Sequence, residues 1–195
     1  MKSDMEQGKE VKKREFWKPV PQTFSVFKKG VKRLVPYGVM DPYAAYTYIR
    51  DGVAAEQTEK LRKCLDSASI KICKRTLFET AVFSGVYDYK SDDRLIRPSG
   101  YVCFDFNFVS VQKTKDILIG LEQYDTVLLF TSPSGHGVKW VVNNRSVFKH
   151  VDFYKVVGDY LRETYNLQPN MEAGNLSHGC LLPYDPEVYI NPNYI

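Results

Sequence analysis

The spacing of apolar residues changes several times along the chain, and each change predicts an element of secondary structure. Short apolar runs bounded by Gly, Pro, Ser or Asn are typical of strands. They occur at residues 23–27, 80–83, 101–106, 126–131, 138–142 and 180–182. The sequence therefore predicts at least six short strands, most of them in the second half of the chain.

Helical spacing occupies the stretches between these runs. Asp41-Pro42 is typical of a helix start, and residues 41–65 are predicted to form two short helices separated by Gly52. A third helix is predicted at residues 111–121. The clearest helix is predicted at residues 147–165, where apolar residues recur every three or four positions. They are Phe148, Val151, Tyr154, Val157, Leu161 and Tyr165.

Strands that alternate with helices predict an α+β domain with a mixed or antiparallel sheet, with the helices packed against one face. The chain has 195 residues, of which 44% are hydrophobic and 14% are aromatic. This is enough for one domain with a substantial core, and it argues against a disordered chain.

Positive charge is concentrated at the start of the chain. Residues 2–33 contain ten Lys or Arg and four acidic residues, whereas the remainder contains 17 basic and 19 acidic residues. We therefore expect a basic, mobile arm over residues 1–33 and a folded domain over residues 34–195. Attraction to phosphate should come from this arm or from local clusters, because the body is not uniformly basic.

The sequence indicates a cytoplasmic protein. No run approaches the roughly 20 apolar residues needed to cross a bilayer, and the N-terminus is charged where a signal peptide is apolar. We therefore expect no membrane partner. The four cysteines are spaced 9, 30 and 77 residues apart without a CxxC pair, so free, buried thiols are expected rather than a zinc site.

The strand at residues 101–106 contains the first candidate for chemistry. Asp105 and Asn107 are two residues apart, so their side chains share one face of the strand. A carboxylate on an apolar strand is costly to bury without compensation, and a divalent cation with a triphosphate is one source of it. The alternative is an Asp that caps the following turn.

A glycine-containing turn between two apolar strands is the second candidate. Gly135 and Gly137 allow close approach of the backbone to a ligand, and Ser134, His136 and Lys139 supply donors for phosphate oxygens. The spacing matches neither a P-loop nor a dinucleotide fingerprint. An ordinary hairpin connection remains the alternative.

The third candidate region precedes the last predicted strand. Glu172 is its nearest carboxylate, whereas Asp185-Pro186 is typical of a turn. His150, alone on the long helix, is expected to be structural or solvated.

Several of these motifs, taken together in their order along the chain, resemble the virulence-associated E N-terminal domain. That domain belongs to the archaeo-eukaryotic primase superfamily and occurs in phages and mobile elements. The resemblance covers roughly residues 76–193. Its motifs are Phe83-Ser84-Gly85, Pro98-Ser99-Gly100, the strand with Asp105, Ser132-Pro133-Ser134-Gly135 with Gly137 and Lys139, the segment from Cys180 to Pro186, and Asn191-Pro192.

The resemblance implies a primase-polymerase-like fold with an RRM-like sheet. It also implies a DNA primase or polymerase that transfers a nucleotide onto a 3′ hydroxyl with Mg²⁺ or Mn²⁺. The implied partners are a nucleoside triphosphate, single-stranded DNA or a primer-template, and a fused or associated helicase. Asp105 matches the first metal-binding acid, Ser134-Gly135-His136 matches the turn that contacts the triphosphate, and Lys139 is a second phosphate contact.

The sequence departs from the family pattern on the metal side. Asn107 stands where a second acid is expected, Asn170 where a later aspartate is expected, and His178 replaces an arginine that is common before the last strand. Glu172 is the candidate substitute, which gives a predicted metal pair of Asp105 and Glu172. An amide ligand brings no negative charge, so such a site holds a divalent ion weakly.

Three hypotheses follow from this pattern. The first is an active nucleotidyltransferase that uses Asp105, Asn107 and Glu172. The second is a catalytically degenerate module that binds nucleotide or DNA in a replication assembly through Ser134, His136, Lys139 and the basic arm. The candidate nucleotide-binding residues are Ser134, Gly135, His136, Lys139 and His178. The third is an interaction module with no affinity for nucleotides.

Overall fold

The computed structural model describes residues 22–30 and 34–195, and they form ten strands and five α-helices with three short 3-10 helices. The strands are β1 (Phe24–Phe27), β2 (Gly38–Met40), β3 (Thr80–Val82), β4 (Gly85–Tyr87), β5 (Leu95–Pro98), β6 (Tyr101–Asn107), β7 (Asp125–Thr131), β8 (Gly137–Asn143), β9 (Cys180–Leu181) and β10 (Tyr189–Ile190). The helices are α1 (Pro42–Arg50), α2 (Ala55–Arg62), α3 (Ser67–Thr76), α4 (Val111–Ile119) and α5 (His150–Tyr165).

The strands form two four-stranded sheets and one two-stranded ribbon. The first sheet has the order β2-β1-β3-β9, the second has the order β10-β7-β8-β6, and β4 pairs with β5. Every pairing is antiparallel. The molecule is therefore an α+β fold with antiparallel sheets, as the sequence predicts at this level.

Alternation along β6 and β8 sends side chains to two separate cores. On one face of the second sheet, Phe104 and Trp140 pack with α5, and the rings of Phe104 and Tyr154 stack with centroids 4.5 Å apart. On the other face, Tyr101 and Val141 pack with buried residues of the first sheet. Both faces of the second sheet are thus covered, and polar groups on β6 and β8 need partners inside the protein.

Most of the predicted elements are present. The six predicted strands correspond to β1, β3, β6, β7, β8 and β9, and α1, α2 and α4 lie within the predicted helical stretches. Asp41 caps α1, with its carboxylate accepting a hydrogen bond from the backbone of Ala44 at 2.8 Å. α5 begins at His150 instead of residue 147, and α3, β2, β4, β5 and β10 are elements that the sequence analysis did not identify.

The predicted basic arm lies mostly outside the described residues, which begin at Gln22 and omit residues 31–33. Its described part contains β1, whose four residues are buried between β2 and β3. The folded domain thus includes the strand predicted at the end of the arm.

All four cysteines are free thiols, as expected. Cys73 and Cys180 are buried, whereas Cys64 and Cys103 are partly exposed, which corrects the expectation that all four are buried. In the part of the chain that the structure describes, no helix has the length and apolar character needed to cross a membrane.

Candidate functional site

Asp105 and Lys139 face each other on the last two strands of the second sheet, β6 and β8. They are register partners on β6 and β8, and the Lys139 Nζ lies 2.5 Å from Asp105 Oδ2. Only 7% of Asp105 and 8% of Lys139 is exposed. Burial of a single charge here is costly, so each side chain compensates the other.

The surroundings keep Lys139 charged and leave one carboxylate oxygen available. Burial disfavours the ammonium, but the neighbouring Cys180 sulfur and the Asp105 carboxylate outweigh burial and hold the pKa of Lys139 above its ordinary value. Asp105 Oδ1 is buried and has no hydrogen-bond partner among the residues that the structure describes. A buried acceptor without a partner indicates a place for a donor from a ligand.

The Asp105–Lys139 pair lines a pocket of about 200 Å³, which we call the Asp105 pocket. Lys74 of α3, Asn107 at the end of β6, Ser132 of the turn after β7 and His178 before β9 also line it. Burial and the charge of Lys139 lower the pKa of His178. His178 is therefore a neutral imidazole near pH 7, and it can donate or accept one hydrogen bond.

The glycine turn between β7 and β8 is held by its own backbone. The Ser132 amide donates to the Gly137 carbonyl at 2.8 Å, and the Gly135 amide donates to the Ser132 carbonyl at 2.9 Å. Gly135 has a φ of 79°, which favours glycine. A Cβ at Gly137 would lie 2.4 Å from the Phe106 carbonyl oxygen. Gly137 is thus required for close contact with β6, and its role in the approach of a ligand stays a prediction.

The other predicted phosphate-binding residues lie beside the Asp105 pocket. Ser134 and His136 line a neighbouring cavity of about 440 Å³ with Asn107, Phe108 and residues of α3, and we call this cavity the Phe108 slot. The slot shares Lys74 and Asn107 with the Asp105 pocket. Gly135 instead lines a cavity on the other side of the turn, together with Arg62 and Asp185.

Asn170 lies next to Asp105, whereas Glu172 does not reach the pocket. The Asn170 amide donates to the backbone carbonyl of Asp105 at 2.7 Å. The Asn170 side chain accepts from the amide of Glu172, so it caps the short 3-10 helix Met171–Gly174. Glu172 is exposed on this helix, and its charge acts on His178 from there.

The side chains around Asp105 do not fit a divalent cation as they stand. Such a cation prefers several carboxylate oxygens, but Asp105 is the single carboxylate of the pocket and Lys139 already neutralises it. Asn107 is exposed and brings no charge. Among residues 22–30 and 34–195, no three or more His, Cys, Asp and Glu side chains are grouped to hold a metal ion.

The sequence analysis missed a row of cations on α3. Lys71, Lys74 and Arg75 line the Phe108 slot, and Lys74 and Arg75 also line a third cavity of about 810 Å³ with Lys28 and Lys90. None of the ion pairs in the described part of the chain involves any of these five residues. The basic run at residues 71–75 was the signal that could have identified them.

Comparison with known families gives one match. The model of the family described as "BT4734-like, N-terminal domain" matches residues 73–190, which is more than half of the chain. The matched segment begins within α3 and includes the Asp105 pocket. No curated protein and no solved structure matches the chain.

Proposed function

The chain belongs to the family of BT4734-like N-terminal domains, and from its site we propose that this domain binds a nucleoside triphosphate within a DNA replication assembly. The triphosphate lies in the basic groove, which we define as the Asp105 pocket, the Phe108 slot and the third cavity on α3. Binding does not require turnover.

The imbalance of charge in the basic groove is the observation that carries this proposal. Among the described residues, six cationic side chains line its three cavities, and Asp105 is the one carboxylate that does so. The cations are Lys28, Lys71, Lys74, Arg75, Lys90 and Lys139. A concave surface lined by one sign of charge attracts the opposite sign, and a triphosphate carries several negative charges in a short length.

Lys74 has a central place in the groove because it lines all three cavities and forms no ion pair within residues 22–30 and 34–195. Lys139 contributes differently, since its ammonium is already paired with Asp105. His178, neutral and partly buried, offers a hydrogen bond without a charge. Phosphate oxygens therefore meet unpaired positive charge on α3 and hydrogen-bond donors from Lys139 on β8 and His178 before β9.

A second candidate function is nucleotidyl transfer onto a 3′ hydroxyl with Mg²⁺ or Mn²⁺, in a phage or mobile-element primase. The buried, unpartnered Oδ1 of Asp105 favours it, since this atom is available as a ligand. The ion pair with Lys139 opposes it. The resemblance of residues 76–193 to the virulence-associated E N-terminal domain supports the replication setting. Its implied partners are single-stranded DNA or a primer-template and a helicase.

The test of binding compares melting temperatures with and without ATP or dATP, in buffer that contains EDTA. Ligand at about ten times its Kd stabilises the folded chain by about 1.4 kcal/mol, or about 3–6 °C. Lys74→Ala is expected to reduce this shift. Lys155→Ala is the matched control, because Lys155 is an exposed lysine on α5 that lines none of the three cavities.

An unchanged melting temperature at millimolar nucleotide would overturn the proposal. Equal losses for Lys74→Ala and Lys155→Ala would show that general charge, not the groove, attracts the nucleotide. A primer-synthesis assay on single-stranded DNA with Mn²⁺, run beside Asp105→Ala, separates the two functions. Synthesis that depends on Asp105 would establish the second candidate.

A further inference from the structure

Phe108 has an unusual combination of backbone and side-chain properties. It directly follows β6, its φ is 56°, and 93% of the residue is exposed. Bulky side chains rarely adopt a positive φ, because the Cβ then approaches the backbone carbonyl. Glycine or asparagine would fit this backbone without strain. Phe108 therefore keeps a strained backbone conformation, and burial of its side chain does not offset the free-energy cost of that strain.

The ring of Phe108 lines a slot with both apolar and basic walls. Ile70 lies with it along the slot, and Lys71 and Arg75 of α3 add positive charge. The volume of about 440 Å³ lies within the range of small-molecule sites. The slot continues into the Asp105 pocket through Lys74 and Asn107, which line both. An apolar end, with Phe108 and Ile70, and a cationic end, with the basic side chains of α3, thus lie side by side.

We propose that Phe108 is a stacking platform for the base of the bound nucleotide, so that the slot selects a ligand with an aromatic base over a bare polyphosphate. This inference rests on the proposed function, because the phosphates of the same ligand occupy the cationic end. Every base has a π-face, so stacking on a phenylalanine gives affinity with little base preference.

The polar residues of the slot agree with this occupant. Asn107, Ser134 and His136 lie around it, and their side chains can hydrogen-bond to the edge of a base. Ser134 Oγ lies 3.3 Å from Ser132 Oγ, which links the slot to the turn beside the Asp105 pocket. An extended polyanion without a ring matches the charge of α3 but leaves Phe108 and Ile70 exposed to water.

The test measures binding of ATP and of inorganic tripolyphosphate by calorimetry, without metal, to the intact chain and to variants. We expect ATP to bind about 5-fold or more tightly than tripolyphosphate, because stacking on one aromatic side chain contributes at least this factor. Phe108→Ala should remove the difference and leave tripolyphosphate binding unchanged. Phe108→Tyr and Phe108→Trp should retain it.

Phe148→Ala is the matched control, since Phe148 is also an exposed phenylalanine but lines none of the three cavities. It should bind both ligands like the parent chain. Equal affinities for ATP and tripolyphosphate in the parent chain, or parallel losses of both in Phe108→Ala, would overturn the stacking role alone. If neither ligand binds the parent chain, the proposed function fails and this inference fails with it.

Discussion

Lys139 lies directly across from Asp105 on the neighbouring strand, and its ammonium contacts Oδ2, while Oδ1 has no donor in the described part of the chain. One half of the carboxylate is therefore compensated within the protein and the other half is not. The pair determines how much of the charge of Lys139 is available to a ligand.

We predict that Asp105→Asn tightens binding of ATP by about 5-fold, because Lys139 loses its counter-charge and an approaching phosphate replaces it. The variant keeps an acceptor at Oδ1, so a donor on the ligand is still satisfied. Calorimetry in EDTA measures the affinity. The free variant should be less stable by about 3 kcal/mol in urea, as expected when one partner of a buried pair is lost. Weaker binding by the variant would contradict this account of Lys139.

Gly135 and Gly137 are predicted to differ in their tolerance of alanine. Gly135→Ala should cost about 1 kcal/mol, the usual cost of a positive φ for a residue with a side chain. Gly137→Ala should cost roughly 3 kcal/mol or more, because the new Cβ forces β8 away from the Phe106 carbonyl. Urea unfolding of both variants checks the order. Equal costs would show that β6 and β8 can separate easily at this point.

Phe108→Gly is predicted to raise the free energy of unfolding by about 0.5 kcal/mol, because the strain of a positive φ is relieved and little buried surface is lost. Phe148→Gly serves as the control, since Phe148 is not one of the described residues with a positive φ. Chemical denaturation of the two variants provides the comparison. A stabilised variant that also loses its preference for ATP would show that the strain accompanies function.

His150 is predicted to make stability depend on pH. Burial lowers the pKa of His150 to about 4. Between pH 6.5 and 4 the unfolded chain therefore binds a proton that the folded chain does not bind. The free energy of unfolding should fall in this range, by about 3 kcal/mol at pH 4 relative to pH 7. His150→Gln should reduce this dependence, and urea unfolding of the variant and the parent chain at pH 4 and pH 7 checks it.

The three longest strands were predictable because their apolar runs are long. β6, β7 and β8 each have seven residues and each is largely buried. β10, which the pattern missed, has two residues, and pairing with the distant strand β7 decides its conformation. The sequence analysis did not identify α3 because Cys73 is its one buried residue. A helix that buries so little shows no clear three- or four-residue spacing of apolar positions.

The candidate site was predictable in part for a related reason. Asp105 and Lys139 belong to long neighbouring strands, and the register of those strands brings them together. The partners from distant segments were not visible in the same way. Lys74 arrives from a helix that the pattern missed, and Glu172 lies on a 3-10 helix that leaves it exposed. The assignment of Asp105 and Glu172 as a metal pair remains a prediction.

The hydrogen bond from Asn170 to the backbone of Asp105 affects how copies of this domain could associate. β6 is an edge strand, and such edges offer open backbone groups to a strand from another molecule. Here the Asp105 carbonyl of β6 already accepts the Asn170 amide, and the Tyr154 hydroxyl donates to the Asn170 carbonyl and holds this segment in place. A second copy would have to displace this segment before it could extend the sheet, so the chain protects itself against edge-to-edge aggregation beside its own pocket.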